Sequence, residues 1–232
     1  MSRAINRLLP GLILGITVIF GSCKQPESWY YTEAEMEAVE SFVDAAFGES
    51  TEVFHELESP DIHVDILVIP PTEERNYYTL VTMGMGARPM DVPREYRSHN
   101  NQRAEILVTL PPDWNITSEA EKDYWPIRWL KNLARLPISM DTWLGWGHTV
   151  PNGEPFAENT QLSGVILMTP RLSDRPFVCG LPGGDRVEFY HMIPIYEEEM
   201  DYKVENGTDA LFGHFGPEFT HVVDLKRTNY LK

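Results

Sequence analysis

The sequence predicts an α+β fold, a single domain in which a mixed or antiparallel β-sheet is flanked by helices. Two patterns carry this expectation. β-Branched runs such as Ile62–Ile69 and Arg103–Leu110 stop at proline pairs, as strands do. Elsewhere apolar residues recur at helical spacing behind capping signals. A third observation sets the scale: the chain of 232 residues has 18 prolines and 11% aromatics, with no repeat and no long low-complexity stretch, which is enough for one sizeable core.

The elements follow in order. Thr32-Glu33-Ala34-Glu35 is a capping box, and Met36, Val39, Phe42, Val43, Ala46 and Phe47 come after it at helical spacing. Gly48 is the stop, and Glu33, Glu37, Glu40 and Asp44 form the exposed face. Ile62, Val64, Ile66 and Val68 then alternate with His63 and Asp65 as a strand that Pro70-Pro71 ends. Tyr77–Met83 is a second strand, ending at Gly84, and Arg103–Leu110 a third, ending at Pro111-Pro112. Ser118–Glu121 reads as another cap and Pro126 as the opening of a helical turn. Trp129, Leu130, Leu133 and Ala134 make an apolar stripe from there to Pro137. Gly164–Met168 and Arg186–Ile195 are further strands, and Glu197–Val204 is helical. Asn206-Gly207 breaks it, and Thr208-Asp209 caps a short last helix through Leu211, Phe212 and Phe215.

The N-terminus has a different character. Arg3 and Arg7 precede an apolar run, Leu8–Phe20, and then Gly21, Ser22 and Cys23. This is the basic, apolar and small-residue order of an export signal, too short for an ordinary membrane span of about 20 residues. Small residues before a cysteine resemble the lipobox of bacterial lipoproteins, with Phe20 where that motif usually has Leu. The expectation is a signal at residues 1–22, lipidation of Cys23, a polar tether at 23–30 and the domain at 31–232, placed in the cell envelope outside the cytoplasm. A plain secretory signal or an uncleaved anchor are the alternatives. With Cys23 acylated, Cys179 has no partner and reads as a small buried hydrophobe between Val178 and Gly180.

The chain carries 19 Lys and Arg against 35 Asp and Glu. Loss of residues 1–22 removes two of those 19 cations and none of the 35 acids, for a net charge of about −18. Such a surface repels nucleic acid and anionic headgroups and favours solubility and basic partners.

Familiar catalytic signatures are missing. There is no G-x-S-x-G elbow, no P-loop and no H-E-x-x-H, and Gly84-Met85-Gly86 is too short for a dinucleotide fingerprint. No histidine pairs at close metal-ligand spacing with Cys or another His; His214 and His221 flank a Gly-Pro turn, and His191 lies in the alternating strand VEFYHM. Asp141 and His148 bracket Trp143 and Trp146 in DTWLGWGHT, where an acid and a histidine can form a dyad, but no nucleophile stands beside them. Binding features are clearer. Trp143, Trp146 and His148 form an aromatic, glycine-rich segment, and Glu197, Glu198, Glu199 and Asp201 form an acidic patch beside Tyr196 and Tyr202. Aromatic anchors with a charged rim are what protein interfaces use.

HVDILVIPPTEERNYYTLVTMGMG, RAEILVTLP, WPIRWLKNLARLP, GHTVPNGEPFA and VEFYHMIPIYEEEMDYKVENGTDALF, in this order, resemble the suppressor-of-fused domain over roughly Tyr31 to Phe215. The resemblance implies an α+β domain, no catalytic residues to carry over and no cofactor or metal. In animals the family protein restrains a transcription factor by binding it, with a second domain that is absent here. Bacterial relatives are thought to be immunity proteins that neutralise polymorphic toxins by binding. The expectation is therefore a non-catalytic protein-binding domain held at a membrane, capturing a toxin with a basic surface. The alternatives are an envelope enzyme using Asp141 and His148, or a structural lipoprotein.

Overall fold

The computed structural model describes residues 29–98, 101–172, 176–217 and 219–232; the expected export signal and the expected lipidation site, Cys23, lie outside them. Within these residues the strands are β1 (Glu52–Phe54), β2 (Asp65–Ile69), β3 (Tyr78–Met83), β4 (Arg103–Leu110), β5 (Thr149–Pro151), β6 (Gly164–Met168), β7 (Val178–Gly180) and β8 (Arg186–Ile195). The helices are α1 (Glu33–Phe47), α2 (Glu121–Ser139), α3 (Glu197–Asn206) and α4 (Thr208–His214). The strands form one mixed sheet in the order β1-β2-β3-β4-β8-β6-β5, with β7 also on β8. Every named pairing is antiparallel except β4 with β8, where Arg103 stands opposite Val187 and Leu107 opposite His191. The expected α+β class is what the chain adopts.

α1 forms where its capping box predicts. The Thr32 hydroxyl accepts from the Glu35 N–H at 3.3 Å, and the Glu35 carboxylate accepts from the Thr32 N–H at 2.9 Å. Val39, Val43 and Phe47 then fall on one face and pack on Leu67, Ile69, Val81, Val187 and Phe189. α2 covers the opposite face, setting Trp125, Leu130 and Leu133 against Ile106, Val108, Tyr190 and Met192. Phe156 lies between two of its tryptophans, stacked on Trp125 at 4.5 Å and edge-on to Trp129 at 5.1 Å.

Both faces of the sheet are therefore buried. Ile66 serves one core, Leu67 and Ile69 serve the other, and Val68 is buried as well. The strand reads as a continuous apolar run for that reason, and not as a half-solvated alternation. Other expectations shift by a few residues. Pro126 sits inside α2, which begins at Glu121 behind Ala120, and Ser118 lies outside the helix, accepting from the Ala120 N–H at 3.2 Å. α3 runs two residues past Val204, and α4 starts at Thr208 itself, with Gly207 as its cap. Cys179 is buried in β7, where burial pushes its thiol pKa up.

Candidate partner-binding edge

The DTWLGWGHT segment leaves α2 through Asp141, which holds a left-handed φ of 48°. It is then tied to β6. The Gly147 N–H donates to the Leu167 carbonyl at 2.7 Å, and the Leu167 N–H donates to the His148 carbonyl at 2.9 Å. Gly147 is required here: its φ is +75°, and a Cβ would lie 2.7 Å from the Thr208 hydroxyl at the start of α4. Leu144 plugs into the core beneath. The two tryptophans separate as a result. Trp143 is half-buried between Tyr96, stacked at 6.0 Å, and the His148 ring at 4.3 Å. Trp146 stays 46% exposed and meets Phe212 of α4 edge-on at 5.7 Å.

The acidic run separates too. Glu197, Glu198 and Asp201 are exposed on α3, and Glu198 pairs with Lys232 at 2.9 Å. Glu199 is 0% exposed and faces inward, so it is no part of a surface patch. It forms an ion pair with Arg227, whose Nη1 donates to Oε1 at 2.7 Å, and accepts the N–H groups of Tyr196 at 3.0 Å and Tyr230 at 2.9 Å. The Arg227 guanidinium lies over the rings of Tyr196 at 4.9 Å and Tyr230 at 4.5 Å. The acid in the third position of a helix binds the backbone before it, and that position is the signal by which Glu199 differs from its neighbours.

Asp141 and His148 are not joined by any hydrogen bond among the described residues. Asp141 lines a small groove with Arg88, Met90 and Pro137, while His148 packs on Trp143. Burial, and then the Lys203 charge, push the His148 pKa down. His191 and His221, thirty residues apart, bring their rings within 5.9 Å of each other. His191 is buried, 3.2 Å from the Thr109 hydroxyl, with its pKa pushed down by burial to about 3. His214 bonds Tyr202 at 3.1 Å, and His221 packs on Tyr77. Among the described residues no three His, Cys, Asp or Glu side chains gather as a metal-binding group.

One cluster escapes the sequence reading. Ser59 Oγ lies 2.7 Å from His63 Nδ1, His63 Nε2 lies 3.1 Å from Asp65 Oδ1, and His55 Nδ1 lies 3.0 Å from Asp65 Oδ2. Hydroxyl, imidazole and carboxylate stand in line, an order that acyl transfer also uses. Five grooves among the described residues are lined by other side chains, and catalysis of that kind needs a cleft and oxyanion donors besides. The spacing Ser-x₃-His-x-Asp was visible, but it falls where the strand pattern begins.

α3 packs against β5 and β6, and Lys203 at its end lies near His148. The exposed tryptophan and the acidic helix, some fifty residues apart in sequence, thus share one edge of the sheet. The exposed aromatic and the acidic helix both lie on an α+β domain whose mixed sheet is covered on both faces. The chain belongs to the suppressor of fused family: the family model described as Suppressor of fused protein (SUFU) matches residues 60–228. An uncharacterized protein of Ureaplasma parvum serovar 3 is 26% identical over 213 residues, covering 88% of this chain and all of that one. Among solved structures, the Sufu–Fu complex matches with a TM-score of 0.60 at 12% identity, over 85% of this chain and 93% of that one. A suppressor of fused homolog from Neisseria gonorrhoeae matches with a TM-score of 0.59 at 17% identity, over 84% and 96%. Drosophila Suppressor of Fused matches with a TM-score of 0.57 at 10% identity, and this chain spans only 51% of its length. At these identities the likeness to the solved structures is one of fold.

Proposed function

We propose that this protein captures another protein at a membrane, and that its partner is a toxin with a basic surface which it neutralises by binding. The observation that carries the reading is the shared edge: Trp146 against Phe212, with the carboxylates of Glu197, Glu198 and Asp201 on the adjoining helix. An aromatic anchor supplies affinity, and the acids steer a cationic partner and exclude others. The Sufu–Fu complex supports the idea that this fold is used to hold a protein. The tether at Cys23 places the capture outside the cytoplasm, in the cell envelope, where an incoming or envelope-acting toxin would be met. No chemistry on the partner is required.

The test is direct binding of the full chain to toxins encoded beside it, with protection of cells read in parallel. Trp146→Ala is expected to weaken binding by about 2 kcal/mol, some thirtyfold in Kd. Asp201→Lys is expected to slow association about tenfold at low salt, with less effect on dissociation. If no such toxin binds and none is neutralised, the proposal fails. For the anchor, intact-mass analysis should find acyl chains on the mature protein and none on Cys23→Ala, which should leave the membrane fraction or stay unprocessed.

A further inference from the structure

The chain is fixed to the body of the domain from Trp29 onward, two residues before the expected start at Tyr31. The Trp29 N–H donates to the Asp61 carbonyl at 2.7 Å, and the His63 N–H donates to the Trp29 carbonyl at 3.1 Å, so Trp29 lies as a short parallel bridge beside Ile62. Trp29 is 48% exposed and Tyr30 55% exposed, and Tyr30 stacks on His63 at 5.4 Å.

The surroundings of this bridge share its character. Arg88 lies over the Trp29 ring at 6.0 Å and lines a groove with Pro137 and Ile138 of α2. Met140, 69% exposed, closes that helix. Leu57, 97% exposed, sits in the loop that Arg135 of α2 holds through Glu56 at 2.6 Å and Asp61 at 3.1 Å. Among the described residues Trp29, Tyr30, Leu57 and Met140 are exposed large apolar side chains on the segments around this bridge; Met36, Tyr96, Trp146 and Val204 are the others left open.

Tether length decides what this end faces. Five residues, Lys24–Ser28, separate Cys23 from Trp29. Even fully extended, that chain spans only about 20 Å. If Cys23 is lipidated, Trp29 cannot leave the vicinity of the headgroups, and the end that carries it must point at the bilayer. We propose that this end is a membrane-docking face, with Trp29 and Tyr30 seated in the interface and Leu57 and Met140 beside them; the inference rests on the tether of the preceding reading. Trp and Tyr favour the membrane–water boundary, where an apolar ring and a polar tip are both satisfied. Glu56 and Asp61 are held by Arg135, while Glu58 and Asp141 keep the face from being cationic, so the attraction is apolar and aromatic, not electrostatic. Docking here turns the Trp146 edge away from the bilayer, four strand spacings from β2, or about 19 Å at ~4.8 Å per step.

The test uses the full lipidated chain in vesicles of brominated phosphatidylcholine, whose acyl bromines quench only tryptophans that reach them. Bromination is expected to lower the Trp29 emission, taken as the difference between wild type and Trp29→Phe, at least twofold. Trp146→Phe should leave the quenched component intact. A chain with about twenty Gly and Ser residues inserted after Ser28, free to move off the surface, should keep the quenching. Unquenched Trp29 on an anchored chain overturns the docking face, as does quenching lost with the longer tether. Trp29 shielded only as protein concentration rises, with or without bromine, assigns the face to a second copy and overturns it too. Acyl mass on Cys23 is read in the same sample: anchored but unquenched protein defeats the docking alone, unacylated protein with quenched Trp29 defeats the tether alone, and unacylated protein absent from vesicles defeats both.

Discussion

Arg227→Ala is expected to destabilise the domain by about 3–5 kcal/mol, read as a lowered denaturant midpoint at unchanged slope. The change removes one partner of a buried ion pair. Glu199 is 0% exposed, and without the guanidinium it keeps only the N–H groups of Tyr196 and Tyr230. A carboxylate stripped of its counter-charge in the interior costs far more than a surface bridge is worth. The guanidinium also donates to the Pro194 carbonyl at 3.2 Å and to the Thr228 carbonyl at 3.0 Å, so the loss extends to the end of β8 and the last segment. Against a total stability of about 5–15 kcal/mol this is a large fraction. Lys232→Ala is the control: Lys232 and Glu198 are both exposed, and breaking their solvent-screened bridge should leave the denaturant midpoint nearly unchanged. Equal effects of the two changes would sink the account. The pair also holds α3 on the sheet, so Arg227→Ala should weaken partner capture without touching any surface residue.

This pair also shows where sequence reading stops. Glu197, Glu198 and Glu199 share one chemistry; the third position of α3 marks Glu199 as a cap, but its burial and its cation come from the return of the C-terminal segment, 28 residues later. Local signals fared better. The α1 capping box lies within four residues; β2, β3 and β4 announce themselves by β-branched runs stopped at Pro or Gly, and β6 and β8 by their apolar or alternating runs. The three-residue strands β1, β5 and β7 were missed because their order comes from the neighbours they pair with, such as Val53 against Leu67 and Cys179 against Val187. Pro126 marked a helix but misplaced its start, since tertiary packing of Trp125 carries the helix past the proline. At the candidate edge the sequence named Trp143 and Trp146 together. Which of them is exposed depends on Leu144 plugging the core and on Gly147 meeting Thr208, contacts that no spacing encodes.

Glu105→Gln is expected to cost about 1–3 kcal/mol, and the loss should depend on pH. Glu105 is 0% exposed with no cation bonded to it, and four donors converge on its carboxylate: the Tyr31 hydroxyl at 2.8 Å, the Thr82 hydroxyl at 2.5 Å, and the N–H groups of Gly84 and Gly86, each at 3.0 Å. The two glycines of the GMG segment make room for this clasp. A Cβ on Gly84, at φ +126°, would lie 1.9 Å from the His63 carbonyl oxygen, and one on Gly86 would lie 2.1 Å from the Tyr31 hydroxyl. A glutamine with its oxygen in the Oε1 position keeps the Tyr31, Gly84 and Gly86 donors but turns its NH₂ group on the Thr82 hydroxyl, so that one bond is lost at about 1–3 kcal/mol. Tyr31→Phe removes one donor instead and should cost only about 1 kcal/mol. Burial pushes the Glu105 pKa up, against the opposing pull of the Thr82, Gly86, Gly84 and Tyr31 bonds. A carboxyl whose folded pKa is raised contributes stability that is fully present below its unfolded value and is lost as pH rises through the folded one. The stability gap between wild type and Glu105→Gln should therefore narrow as pH rises from the ordinary carboxylate value of 4.5. A gap that widens instead would mean that the four donors outweigh burial. Because Tyr31 follows directly on Trp29 and Tyr30, losing its bond to the clasp loosens the aromatic pair as well, and Tyr31→Phe should reduce bromine quenching of Trp29 even under conditions where the domain stays folded.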